Sequence, residues 1–167
     1  MKHRSLTRML ALDLHARSFG YVVVESPDDR LLDWGVRSHR FKKYSAQRFV
    51  RTGLRPLLDV WQPTVIVVQN PTQSASRGRR SNLLNQVARE AKNRRVQLGI
   101  RRKSILGGER LTKHEIARRA AERFSILRWR MPLKRRAWES EDYRMSMFCA
   151  ADAALAHLQG LIRSHDR

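Results

Sequence analysis

The chain reads as an α/β domain built on a five-stranded mixed sheet, three antiparallel strands and then parallel ones, flanked by helices. Three observations predict this. Three β-rich runs with short connections open the sequence, an uninterrupted apolar run lies between Pro63 and Pro71, and amphipathic helical patterns separate and follow these runs.

The runs Met9–Leu14, Gly20–Glu25 and Leu31–Arg37 are rich in Val, Leu and Tyr, with Ser26-Pro-Asp-Asp29 as a turn between the last two. Their short connections predict an antiparallel meander. From Ser45 to Trp61, Phe49, Val50, Leu54, Leu57, Leu58 and Trp61 recur at helical spacing, with Pro56 as a break point. The run Thr64-Val-Ile-Val-Val-Gln69 has no polar alternation, as expected of a central parallel strand covered on both faces. Thr72–Arg80 is rich in Ser, Gln, Gly and Arg and predicts an exposed loop well placed to touch phosphates.

Leu83, Leu84, Val87, Ala88 and Ala91 then mark a helix, and Val96–Ile100 a fifth strand, before Gly107-Gly108 breaks the chain. Thr112-Lys-His-Glu115 is a capping box, opening a helix that carries Ile116, Ala117, Ala120 and Phe124. A basic connector from Arg128 to Trp138 leads to a last helix, from about Ser140 to Arg163. At 167 residues, 41% of them hydrophobic, the whole chain is expected to form one domain.

Charge narrows the partners. Thirty-five Lys and Arg face 15 Asp and Glu, a formal charge of +20. The excess is spread through the second half, at Arg77-Gly-Arg79-Arg80, Arg94-Arg95, Arg101-Arg102-Lys103, Arg118-Arg119, Arg128-Trp-Arg130 and Lys134-Arg-Arg136. Basic groups interleaved with structure point to nucleic acid, with Arg77, Arg79, Arg80, Arg101, Arg102 and Lys103 as candidate contacts. An anionic membrane surface is the weaker alternative, because no run approaches the ~20 apolar residues of a spanning helix. The basic N-terminus is followed by Asp13 and lacks a small-residue cleavage site, so it does not read as a signal peptide, and the cytoplasm is expected. One cysteine, Cys149, excludes an intrachain disulfide and a Cys-based zinc cluster. Trp129 and Trp138, set among arginines, are expected in core or dimer packing, with base stacking as the alternative.

Two carboxylates stand where chemistry is expected. Asp13 ends the first strand, as a turn cap or as part of a site that needs a second acid. Asp152 falls within the stripe of Met145, Phe148, Ala151, Leu155, Leu158 and Ile162 on the last helix. A carboxylate there must be paired, hydrogen-bonded or metal-bound, and a salt bridge at the stripe's edge and a metal ligand are both open.

Asp13 followed by Gly20-Tyr21, the Pro63-x5-Gln69 strand, Lys113 at a helix start and Ala150-Ala-Asp152-Ala-Ala-Leu-Ala156 resemble the RuvC family of Holliday-junction resolvases, in the RNase H-like superfamily. The resemblance spans roughly residues 8 to 162. It implies a homodimeric, Mg²⁺-dependent endonuclease that binds four-way DNA junctions and nicks symmetric strands, two carboxylate-held ions assisting phosphodiester hydrolysis. Asp13 and Asp152 match the first and last catalytic, metal-binding acids, and Lys113 matches the basic residue at the scissile region.

Gln69 stands where the family has a catalytic Glu, Cys149 where it has another acid, and His15 where a glycine follows the first Asp. Two acids out of four imply at most weakly bound Mg²⁺ or Mn²⁺. Glu141 and Asp142, on a continuous helix, would lie about 15 Å from Asp152. Glu115 is explained by its capping box; His114 is the better reserve for a missing acid, although a lone helical His is more often solvated than functional.

Three classes follow: a RuvC-like endonuclease for Holliday junctions or other branched DNA with a reduced acidic site; a protein on this fold that binds branched or structured DNA or RNA without cutting; and an actin-like or sugar-kinase ATPase. The last ranks low, because His15 replaces its phosphate-loop glycine and the chain is too short for two domains.

Overall fold

A computed structural model describes residues 6–39, 45–69, 77–101, 105–106, 109–136 and 138–165. Arg102, Lys103, Gly107-Gly108 and residues 72–76 of the expected loop lie outside them. The five-stranded mixed sheet is present, in the order β3-β2-β1-β4-β5. β1 (Thr7–Leu14), β2 (Ser18–Ser26) and β3 (Arg30–Ser38) form the meander, and β4 (Val65–Gln69) and β5 (Gln97–Arg101) add in parallel to β1.

Side-chain alternation assigns each strand residue to a face. Leu10, Leu12 and Leu14 join Ile66 and Val68 in a core under the helices between β3 and β5. Met9, Ala11, Val65 and Val67 point the other way, into a core shared with α4 (Lys113–Arg123) and α5 (Met145–His165). β4 is buried along its full length, which is why its sequence shows no alternation.

Pro56 does not break its helix. Ser45 caps α1 (Ala46–Phe49), a π turn follows at Val50–Leu54, and Pro56 sits in the first turn of α2 (Arg55–Trp61). There its missing N–H leaves little unpaired, and the widened turn relieves the clash of its ring. Behind α2 runs α3 (Arg77–Asn93), whose buried Glu90 is clamped by Arg55 at 3.1 Å and Arg94 at 2.9 Å.

Three expectations change. Arg77–Arg80 is the first turn of α3, not loop. A small hairpin, β6 (Ile105–Leu106) with β7 (Glu109–Arg110), follows β5. The last helix starts at Met145, because Ser140–Arg144 is held outside the helix: Asp142 takes both the backbone N–H (2.9 Å) and the guanidinium (2.6 Å) of Arg144. The Thr112/Glu115 capping box opens α4 as predicted.

Candidate nucleic-acid site at the strand ends

The registers set one row of residues across the sheet. Asp13 pairs with Gly20 on β2, Gln69 pairs with Arg101 on β5, and Leu12 with Val68 brings Asp13 and Gln69 level at the carboxyl ends of β1 and β4. Both fall on the α5 face, by alternation from Ala11 and Val67.

Helix α5 crosses this row diagonally. A Cβ on Gly20 would lie 2.1 Å from the Ser146 carbonyl carbon and 2.3 Å from the Met147 nitrogen, so only glycine lets the helix backbone touch β2. Ten residues further along, His157 lies against Gly99 of β5. Asp152, midway, therefore passes over β1 and β4, the strands of Asp13 and Gln69. It is 2% exposed, and Cys149, one turn earlier, is buried with it.

Asp13 is not open to its surroundings. Its Oδ2 is 2.8 Å from Nε2 of His15, in the connection to β2, and the Asp13 side chain is 13% exposed. The other ring nitrogen, Nδ1, is 3.5 Å from Nη2 of Arg80 on α3. A guanidinium only donates, so Nδ1 accepts and the Nε2–H is given to Asp13. An aspartate, an imidazole and an arginine thus form a chain from the sheet to the N-terminal turn of α3. That turn holds Arg77, Arg79 and Arg80 and no acid, so its helix dipole and its charges favour an anion.

Gln69 is the opposite case. It is 1% exposed, and neither amide atom meets a hydrogen-bond partner among the described residues. Beside it, Arg101 turns inward and donates from Nη2 to Nδ1 of His157 at 2.8 Å. Burial, then the nearby Arg101 charge, lower the pKa of His157 below the ordinary imidazole value.

Lys113 is the first residue of α4, and its Nζ is gripped by both carboxylate oxygens of Glu141. His114 is half-buried and keeps a buried Nδ1 without a partner among the described residues.

These residues do not fit a pair of divalent cations. Asp13 has given one oxygen to His15, Gln69 is neutral, and the Cys149 thiol is a soft ligand unsuited to Mg²⁺. Among the described residues no three His, Cys, Asp or Glu side chains are grouped to hold a metal ion. Against the carboxylates of Asp13 and Asp152 stand the guanidinium groups of Arg80 and Arg101, so the strand ends hold no excess of negative charge for divalent cations. His15 lies two residues from Asp13, just past the end of β1, and is near it in sequence; Arg80, 65 positions from His15, is brought there only by the fold.

A mixed sheet of this order, carrying an aspartate on its first strand under a last helix that bears another, has the fold of the RuvC-like Holliday-junction resolvases. Thermus thermophilus RuvC matches with a TM-score of 0.63 at 17% identity, over 93% of this chain and 96% of that one. The fowlpox virus resolvase, solved with Holliday junction DNA, matches with a TM-score of 0.56 at 12% identity, over 93% and 99%. The yeast mitochondrial resolvase Ydc2 matches with a TM-score of 0.52 at 13% identity, over 92% and 81%. At these identities the likeness is one of fold. No protein-family model and no curated protein matches the sequence.

Proposed function

We propose that this chain binds Holliday junctions or related branched DNA in the cytoplasm, as a homodimer, and that its strand-end site has been converted from metal-assisted cutting to metal-independent binding. The observation that carries the proposal is the pair Asp13 and Gln69. Where the family resemblance calls for two adjacent carboxylates, one is occupied by His15 and the other is a buried neutral amide. The fold supports the choice of DNA substrate, since two of its neighbours were solved with Holliday junctions. The charge of +20 supports a polyanion. Arg77, Arg79 and Arg80 at the head of α3, with Arg102 and Lys103 after β5, are the proposed phosphate contacts, and Arg101 closes the site from inside.

A second reading keeps cleavage. Asp13, half-buried, and Asp152, buried, remain on one face of the sheet, and a single weakly held Mg²⁺ or Mn²⁺ between them would supply a Lewis acid for phosphodiester hydrolysis, with Lys113 near the scissile strand.

Labelled four-way junction, with excess linear duplex as competitor, separates the two. The proposal expects the junction to be retained in chelator and to remain intact in Mg²⁺ or Mn²⁺. Nicked product that Asp13→Asn abolishes would establish the nuclease; loss of the junction to linear competitor would remove branched DNA as the ligand.

A further inference from the structure

The segment between α4 and α5 has a composition that its own folding does not require. It is a 3₁₀ helix, Ser125–Arg130, followed by chain without regular structure to Arg136, and it is pinned to the body by Leu127, which is fully buried, and by buried Pro132. Local hydrogen bonds fix its path: Leu127 N–H to the Phe124 carbonyl at 2.9 Å, Met131 N–H to Arg128 at 3.2 Å, and Arg136 N–H to the Glu139 carboxylate at 2.9 Å. On this fixed support Trp129 is 90% exposed and Trp138 78% exposed. Of the core or dimer packing expected for them, core packing is therefore not what the structure shows. Indole rings are the side chains most strongly driven out of water, so two of them left outside an otherwise well-filled core mark an interaction surface.

The charge around them selects the partner. Residues 125–138 contain five Lys and Arg and no acid. None of the five forms an ion pair among the described residues; the acids that follow are engaged elsewhere, Glu141 by Lys113 and Asp142 by Arg144. The Arg136 guanidinium lies 5.7 Å from the Trp138 ring centroid, and Arg128 and Trp129 line an open depression of about 690 Å³. Aromatic faces interleaved with unpaired cations suit a strand whose bases stack while its phosphates are neutralised. A second copy of this chain would set five positive charges against five.

We infer that the segment Ser125–Trp138 is a stacking platform for unpaired deoxynucleotides, with Trp129 and Trp138 as its two faces. It rests on the branched-DNA reading and deepens it by adding, away from the strand ends, a contact for bases freed where arms meet; Arg123, just before the segment, pairs with Asp29 in the β2–β3 turn at 2.6 Å. The test uses the full chain in chelator, with an oligo-dT strand, a blunt duplex and a fully paired four-way junction, read by anisotropy and tryptophan quenching. Trp129→Ala with Trp138→Ala should weaken oligo-dT binding at least tenfold, with little change in salt slope and less than a twofold change for blunt duplex. The Phe pair at both positions should restore most of the loss. Unchanged oligo-dT affinity, an equal loss on strand and duplex, or a shift from dimer to monomer in sedimentation would each overturn the inference. A paired junction that is not preferred over duplex would instead count against the branched-DNA reading, whatever the oligo-dT result.

Discussion

At the residue scale, two buried polar groups report on the site directly. Gln69 keeps an amide out of water with no partner among the described residues. Replacing such a group with an apolar one of similar length removes a desolvation penalty, so Gln69→Met should raise stability by about 1–2 kcal/mol in urea unfolding. A destabilised variant would mean the amide is hydrogen-bonded in solution. His157 gives a pH signature. Its pKa is lowered in the fold, so between the lowered value and about 6.5 the unfolded chain binds the extra proton. Stability should therefore rise with pH through that window and fall as pH drops below about 6.5. His157→Gln should flatten that part of the profile in thermal melts; a profile unchanged by the substitution would exclude the histidine as its source. Asp13 and Gln69 were legible in the sequence because each ends an apolar strand. The occupation of Asp13 was half legible: His15 follows it by two residues in the chain, but Arg80 arrives through tertiary packing.

At the element scale, the site depends on how closely α5 approaches the sheet. Gly20→Ala would drive a methyl group into the backbone at Ser146 and Met147, atoms that no side-chain rotamer can move aside. A loss of about 3 kcal/mol or more is expected from that overpacking. The control is Gly78→Ala in α3, where a Cβ meets nothing within 4 Å and helix propensity favours alanine by up to about 1 kcal/mol. Equal urea midpoints for the two variants would contradict the close crossing. The five strands and the α4 capping box were readable from period and local chemistry. The start of α5 was not, because Ser140–Arg144 has helix-compatible residues whose side chains instead bind outside the helix: Glu141 to Lys113, and Asp142 to the backbone and side chain of Arg144. That pairing holds the Asp142 carboxyl below the ordinary aspartate range. Pro56 misled in the other direction, since a π turn absorbs it.

At the scale of the whole molecule, positive charge and a short supply of acids act together. DNA binding should weaken steeply with salt. Neutralising Arg130, Lys134 and Arg135, which form no ion pairs among the described residues, should flatten the slope of log affinity against log salt by about two to three units. An unchanged slope would place the DNA elsewhere on the surface. The overall charge and the family likeness were visible from the sequence, whereas the platform was not: exposure of Trp129 and Trp138 is a property of the folded surface, and composition alone fits core packing equally well.

The central claim is that branched DNA is held without a metal at the ends of β1 and β4. Junction affinity measured by anisotropy in chelator and again in saturating Mn²⁺ tests it most directly. The account predicts the two values to agree within about twofold, for the native chain and for Asp13→Asn alike. A tenfold tightening by Mn²⁺ that Asp13→Asn removes would contradict it, and would return the site to metal-dependent chemistry.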